Sequence, residues 1–288
     1  MDILNNNFNE VTLFCTSQCN NRCIMCCQPP ESKNDIEYFY NHNLKKIHKI
    51  PQNIDSICIT GGEPTLLGTK LISLIQEIRK TLSVNPEIII LSNGRKFSSL
   101  DFAKEFGELE DNNLFVNIEL HSDYYKDHDL ISGAKNSFAE TLRGIYNLAT
   151  YEVNIELRII ICKQNYKRLV EIASFIHKNL PFVARTIFMG MECIGYAYEN
   201  LKTVWIEPSE YKEQLIKAVL TLSRLGHQVN IYNIPLCLLS EELYSFASRS
   251  ISKWKVKYVE ACEECSMRLQ CCGLFSTSRI QYNHIKPI

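Results

Sequence analysis

Between Val11 and Ile234 the sequence passes repeatedly from a short apolar or alternating run into a run with helical spacing. Residues 11–15, 54–60, 87–91, 114–120, 153–161 and 186–191 read as strands, with 229–234 as one more short one. The run at 87–91 (EIIIL) has the look of a strand buried on both faces. Helical stretches fall between the strands: residues 34–49, a stripe of Leu71, Leu74, Ile75, Ile78 and Leu82, and a helix starting at Ser98 or Ser99. Others follow at 136–149, at 165–179 and at 209–225, the last introduced by Pro208. Such alternation predicts a parallel sheet with right-handed crossovers. About six units fall short of the eight of a closed barrel. The first expectation is therefore an α/β fold, a partial, TIM-like (β/α)6 barrel over residues 1–234, with a doubly wound sheet as the second. Residues 235–288 read as a small, separate, cysteine-rich extension with little hydrophobic core.

The alternating strands indicate what such a barrel would enclose. Leu114, Val116, Ile118 and Leu120 oppose Asn117 and Glu119, and Val153, Ile155, Leu157, Ile159 and Ile161 oppose Asn154, Glu156 and Arg158. If the apolar sides pack on outer helices, the polar ones line the interior. A closed barrel fills that space with branched apolar layers, so polar residues there predict a lumen that holds a polar ligand.

Directly after the first strand comes Cys19-Asn20-Asn21-Arg22-Cys23-Ile24-Met25-Cys26. A C-x3-C-x2-C loop lets three thiolates fold over one iron–sulfur cube, whereas a [4Fe–4S] cluster normally takes four. One iron is then left for an exogenous amine and carboxylate. Structural zinc pairs two knuckles of the C-x2-C kind, which a single three-cysteine loop does not match. Buried structural cysteines are the plainer alternative, since the chain holds 13 cysteines. No basic stretch followed by an apolar run opens the sequence, and no apolar run nears about 18 residues, so neither a secretory signal nor a membrane span is expected. In a reducing cytoplasm so many thiols point to metal or redox chemistry rather than disulfides. Basic and acidic residues nearly balance, 31 against 32, so no global field draws nucleic acid or anionic membrane to the chain.

Gly61-Gly62-Glu63-Pro64 stands at the corresponding end of the second strand. Two glycines let backbone groups approach a ligand closely, Pro64 stiffens the exit, and Glu63 supplies an acceptor or a turn anchor. Alone this is an ordinary strand-to-helix turn. Beside the cysteine loop it resembles, over residues 11–234, the radical S-adenosylmethionine (SAM) superfamily. The resemblance implies a catalytic [4Fe–4S] cluster on Cys19, Cys23 and Cys26 whose open iron chelates SAM. It further implies an external electron donor and cleavage of SAM to a 5′-deoxyadenosyl radical that takes hydrogen from substrate. Cofactor contacts are implied for Gly61, Gly62, Glu63 and Pro64, for Asn93 after the third strand, and for Glu119, His121 and Ser122 at the end of the fourth. Arg158 on the fifth strand and Met189 on the sixth complete that set. Met25, carried over as a cofactor-side position, stands where the family usually has an aromatic residue, a departure that bears on packing against adenine. Cys27 adjoins the loop, but only Cys26 keeps the spacing.

The extension carries Cys237 and then Cys262-Glu-Glu-Cys265-Ser-Met-Arg-Leu-Gln-Cys271-Cys272. C-x2-C-x5-C resembles a spacing of SPASM and twitch extensions, which implies an auxiliary [4Fe–4S] cluster on Cys237, Cys262, Cys265 and Cys271. A structural zinc and a metal-free tail are the rivals, and Cys272 is the rival of Cys271. Cys26-Cys27-Gln28-Pro29-Pro30, with Pro235-Leu-Cys237-Leu-Leu, is similar more narrowly to the His-Xaa-Ser system maturases. That likeness implies a ribosomally made peptide as substrate, modified by hydrogen abstraction to a cross-link or related change. Little sequence precedes the first strand, so a partner maturase or leader-binding protein is expected to recognise the peptide. The alternatives are a small metabolite or an RNA base as substrate, or a non-catalytic iron–sulfur partner protein. His42, His48, His128, His177, His227 and His284 lack ligand spacing and read as surface or core histidines. His121 alone has some claim on the site.

Overall fold

Seven strands follow one another through a single sheet in chain order: β1 (Glu10–Phe14), β2 (Ser56–Thr60), β3 (Glu87–Ser92), β4 (Leu114–Glu119), β5 (Asn154–Ile160), β6 (Arg185–Met189) and β7 (Val229–Tyr232). The structure, a computed structural model, describes residues 9–280 and 282–288. Val11 lies opposite Ile57, Ile57 opposite Ile88 and Ile88 opposite Leu114, all in parallel register, and β7 is parallel to β6 with Thr186 opposite Val229. A doubly wound sheet reverses its strand order at a switch point. An order of one to seven without reversal is instead that of a partial α/β barrel, the expected class.

Crossovers are supplied by α1 (Ile36–Ile47), α2 (Thr69–Thr81), α3 (Leu100–Gly107), α4 (Tyr125–Ser132), α5 (Ser137–Thr150), α6 (Leu169–Asn179), α7 (Tyr196–Glu199), α8 (Leu201–Val204) and α9 (Pro208–Arg224). The α2 stripe is as expected: Leu71, Leu74, Ile75 and Ile78 are fully buried, each worth about 1.5–3 kcal/mol relative to exposure. Ser99 occupies the N-cap of α3 without a side-chain capping bond, and Pro208 takes the first position of α9, where its missing N–H costs nothing.

Two stretches differ from expectation. In β3, Ile88 and Ile90 are buried but Ile89 and Leu91 only half so, which corrects the picture of a strand buried on both faces. Alternation of this kind is what one helix-covered face and one barely covered face produce. The helix α4 was not expected; its YKDHDLIS sequence leaves Tyr125 and Leu130 exposed and carries only a weak apolar stripe.

The chain divides into two compact units. One comprises residues 9–22, 28–120 and 134–156, the other 23–27, 121–133 and 157 onward. Within the second, the tail is tied to the segment after β6: the Cys193 amide donates to Ser278 Oγ at 2.8 Å, and Lys255 Nζ lies 3.0 Å from Glu192. The tail's own regular structure is slight. An antiparallel pair, β8 (Val256–Lys257) and β9 (Leu274–Phe275), covers a cluster of Ile251, Cys272 and Phe275.

Candidate functional site

In the first unit the end of β1 is fixed before the cysteine loop begins. The Cys15 amide donates to Thr60 O at 2.8 Å, extending the ladder by one residue. Beyond it the Asp35 carboxylate, just ahead of α1, accepts from Thr16 Oγ1 (2.6 Å), from the Ser17 amide (3.0 Å) and from the Ser17 hydroxyl. Burial opposes ionisation of Asp35, yet the Ser17 and Thr16 donors outweigh it and hold the carboxyl below its ordinary range.

The glycine turn after β2 packs against this same backbone. Gly62 N donates to Thr16 O (2.6 Å) and Glu63 N to Gln18 O (2.8 Å). A Cβ on Gly62 would sit 2.1 Å from Gln18 O, and one on Gly61, at φ +149°, would sit 2.5 Å from Thr16 O. The close approach that the glycines permit is thus to the cysteine loop's own backbone. Glu63 is the turn's anchor: fully buried, it accepts from Thr65 N (3.1 Å), Thr65 Oγ1 (2.6 Å), Ser92 Oγ (2.7 Å) and Asn93 N (2.7 Å). Burial outweighs those bonds and pushes its pKa up. Pro64 opens a short 3-10 turn, Pro64–Leu67.

Asn93 carries the anchoring on to the loop. Its Nδ2 donates to Asn20 Oδ1 at 2.7 Å and lies 3.8 Å from Cys19 Sγ, which also accepts the Asn21 amide at 3.3 Å. Arg95, which sequence reasoning missed, donates to Asn20 O and to Asn21 Oδ1 (2.8 Å) while its Nε pairs with Glu140 at 2.7 Å. Behind them α5 comes unusually close. Thr141 Oγ1 donates to Asn93 O at 2.8 Å, and a Cβ on Gly144 would lie 2.2 Å from Gly94 O. Burial first, and Glu63 next, push the Cys19 thiol up to about 12. A bound metal that displaces the proton reverses that preference.

The strand ends contribute polar groups. Asn117 Nδ2 donates to Glu156 Oε2 at 2.7 Å, both side chains buried, so these two share one face of β4 and β5. Glu119 closes β4 half-buried. Arg158, on β5, has its Nε buried with no hydrogen-bond partner among the described residues, an orphaned cation donor of the kind an anionic ligand satisfies.

In the second unit, residues 23–27 are held by backbone bonds. Ile24 N donates to Ile131 O (2.9 Å), Asn200 Nδ2 to Ile24 O (2.9 Å) and Ala197 N to Cys26 O (3.3 Å). Met25 is a core side chain, packed with Ile131, Met191, Ala197 and Val204. Cys23 Sγ lies 3.8 Å from His121 Nε2. His121 is fully buried; burial, then nearby His128, hold its pKa well below the ordinary value, so the ring is neutral. Ser122 Oγ accepts the Tyr124 amide at 3.2 Å, turning the chain into α4, and Met189 O accepts Ile161 N at 2.9 Å.

The tail cysteines converge. Cys237, Cys262, Cys265 and Cys271 line one cavity, with Tyr258 and Ile288 among its walls. Cys271 Sγ accepts the Leu236 and Gly273 amides, each at 3.4 Å. Its neighbour Cys272 belongs to the apolar cluster. Hydrogen bonding from the Cys272 thiol, against the opposing effect of burial, pulls Cys271 down to about 6, with the two amides assisting. None of the cysteines forms a disulfide.

The family model described as the Radical SAM superfamily matches residues 13–176. No curated protein sequence matches the chain. Among solved structures, SuiB of Streptococcus suis bound to S-adenosylmethionine is 13% identical with a TM-score of 0.62, covering 77% of this chain and 49% of SuiB. The chain thus spans about half the length of SuiB. The protein anSMEcpe with bound AdoMet is 14% identical with a TM-score of 0.64, covering 96% of this chain and 92% of that one. Coproporphyrinogen III oxidase (HemN) of Escherichia coli, a radical SAM enzyme, is 14% identical with a TM-score of 0.58, covering 76% of this chain and 52% of its own. At these identities the structures attest the fold.

Proposed function

Because the chain belongs to the radical SAM superfamily, we propose that it is a peptide maturase whose catalytic [4Fe–4S] cluster is held by Cys19, Cys23 and Cys26. When bound, cluster and SAM together supply a one-electron cleavage to methionine and a 5′-deoxyadenosyl radical, which abstracts hydrogen from a ribosomally made peptide. One observation carries the site: the loop backbone is held by hydrogen bonds on both sides of Cys23, and none of its three thiols is in a disulfide. The donor set fits the group. Cys19 Sγ already receives the Asn21 N–H, as cluster sulfurs do, and the orphaned Arg158 Nε fits the carboxylate of SAM.

The chain's residues then act as positioners. Glu63 fixes the turn Gly61–Pro64, which receives the methionyl amine, and Asn93 and Arg95 hold the first half of the loop. Glu119, Ser122 and Met189 complete the cofactor side, with Met25 buttressing the second half of the loop from the core. Residues 235–288 form the extension, with an auxiliary [4Fe–4S] cluster on Cys237, Cys262, Cys265 and Cys271.

A peptide substrate is favoured by two of the similar structures, SuiB bound to precursor peptide SuiA and anSMEcpe with a Cp18Cys peptide. HemN is a reason to keep a small molecule as the second reading. An external donor supplies the electron, and a partner maturase or leader-binding protein presents the peptide. Among the described residues no helix is long and apolar enough to cross a membrane; the proposal places both partners in the cytoplasm.

The test is anaerobic reconstitution with dithionite and SAM, followed by mass spectrometry of a peptide co-expressed from a neighbouring gene. Release of 5′-deoxyadenosine together with loss of a hydrogen pair from the peptide is expected. Release of 5′-deoxyadenosine with the peptide unchanged transfers the proposal to a small molecule. Equal SAM cleavage by Cys19→Ala overturns the site.

A further inference from the structure

The likeness to the family placed His121 on the cofactor side, and one of its close neighbours is a sulfur. Nε2 lies 3.8 Å from Cys23 Sγ, within reach of an N–H···S hydrogen bond. The backbone that carries the buried ring is fixed. The His121 amide donates to His128 Nδ1 at 3.2 Å, and its carbonyl accepts Asn165 Nδ2 at 2.9 Å. Asn165, itself fully buried, also donates to Ile160 O and accepts the Cys162 amide, both at 2.9 Å. His128 is equally enclosed, its ring centroid 5.0 Å from that of His121. Both backbone groups of His121 are therefore spoken for by buried residues with partners of their own. A fully buried ring on a backbone so anchored, 3.8 Å from a thiol, is placed to act as a donor to it.

We propose that His121 donates its Nε2–H to Cys23 Sγ and thereby raises the reduction potential of the cluster that this cysteine ligates. The inference rests on the proposed assignment of Cys19, Cys23 and Cys26 as ligands. Reduction adds negative charge that spreads onto the ligand sulfurs, and a hydrogen bond to a charged acceptor is about twice as strong as one to a neutral acceptor. A donor in that position stabilises the reduced form more than the oxidised form, one of the means by which proteins set iron–sulfur potentials. His121 is in this sense a positioning residue: it acts on the chemistry through Cys23.

The test uses the full chain, reconstituted anaerobically, and follows the EPR signal that changes when SAM is added, which identifies the cluster with the open iron. Redox titration of His121→Phe should show reduction less favourable by about tenfold, or about 59 mV for one electron. His121→Gln, which returns an N–H near the Nε2 position, should recover most of that shift. In the unmutated protein labelled with 15N-histidine, pulsed EPR should detect a weak imidazole coupling that His121→Gln abolishes. Should the Phe variant fail to hold a cluster, the 15N coupling decides. An unshifted potential in His121→Phe, or no coupling in the labelled protein, overturns the role of His121 while leaving the cluster assignment intact. The absence of any SAM-responsive signal overturns the assignment itself, and this inference with it.

Discussion

The two cysteine sites are built on opposite principles. Around Cys19 the backbone is held without metal: Asp35, Glu63, Asn93 and Arg95 anchor the loop by buried and part-buried hydrogen bonds, and the thiol is driven up to about 12 by burial and Glu63. The tail has two short strands and a small apolar cluster, while Cys271 is drawn down to about 6 by Cys272 and two amides. At the first, the proposed metal would have to displace the Cys19 proton, on a backbone that is already held. The other already favours a thiolate but has little else to hold it together, as small domains that rely on a metal staple do. The difference teaches that cysteine density alone says nothing about whether metal serves chemistry or folding.

The contrast breaks first at the ligands. Cys19→Ala should lower SAM cleavage by more than the roughly 10–100-fold typical of outer-shell changes, yet leave the thermal unfolding midpoint near that of the parent. Cys271→Ala should do the reverse to the structure, exposing residues 235–288 to limited proteolysis, whereas Cys272→Ala should leave the tail's metal content unchanged. If Cys271→Ala leaves the proteolytic pattern untouched, the tail is not metal-stapled.

Gly62→Ala should come next. A Cβ 2.1 Å from a carbonyl oxygen of the backbone cannot be relieved by a side-chain shift, so a loss of about 2–4 kcal/mol is expected in denaturant unfolding. Arg95→Met removes the donor to Asn20 and Asn21. It should cost about 1–3 kcal/mol and lower iron incorporation, with the tail cysteines still loaded. The smallest effect belongs to Asp35→Asn. A carboxyl held below its ordinary value near pH 3.9 contributes stability that is present above that pH and lost as pH falls through the folded-state value. Acid unfolding curves of parent and variant should therefore diverge above about pH 4 and converge below it.

Much of this was legible from residue order alone. The strand and helix periods, the C-x3-C-x2-C loop, the glycine turn and the preference for Cys271 over Cys272 all rest on local spacing; in the structure Cys271 lines the tail cavity and Cys272 the apolar cluster. What escaped was long-range and aperiodic. Asp35 reaches back 19 residues to Thr16 and Arg95 reaches 75 to Asn20, from positions that look like ordinary turn and helix residues. His128 reads as a bland histidine because the residue whose amide it accepts lies seven positions back, ahead of α4, a helix too weakly amphipathic to be seen. The half-exposed Ile89 and Leu91 were misjudged because an apolar run reads the same whether or not its second face is covered.

The contact between Gly144 and Gly94 has a consequence for anyone who maps tolerance to substitution. Gly144 of α5 lets the helix approach Gly94 closely, and Thr141, one turn earlier, grips the carbonyl of Asn93. A library that scores only folding would admit a bulkier residue only where α5 can move outward by nearly an ångström, since the atom it meets is backbone. A library that scores iron incorporation would not, because any such slide moves the amide that steadies the loop around Cys19. Position 144 should therefore separate variants that fold from variants that load.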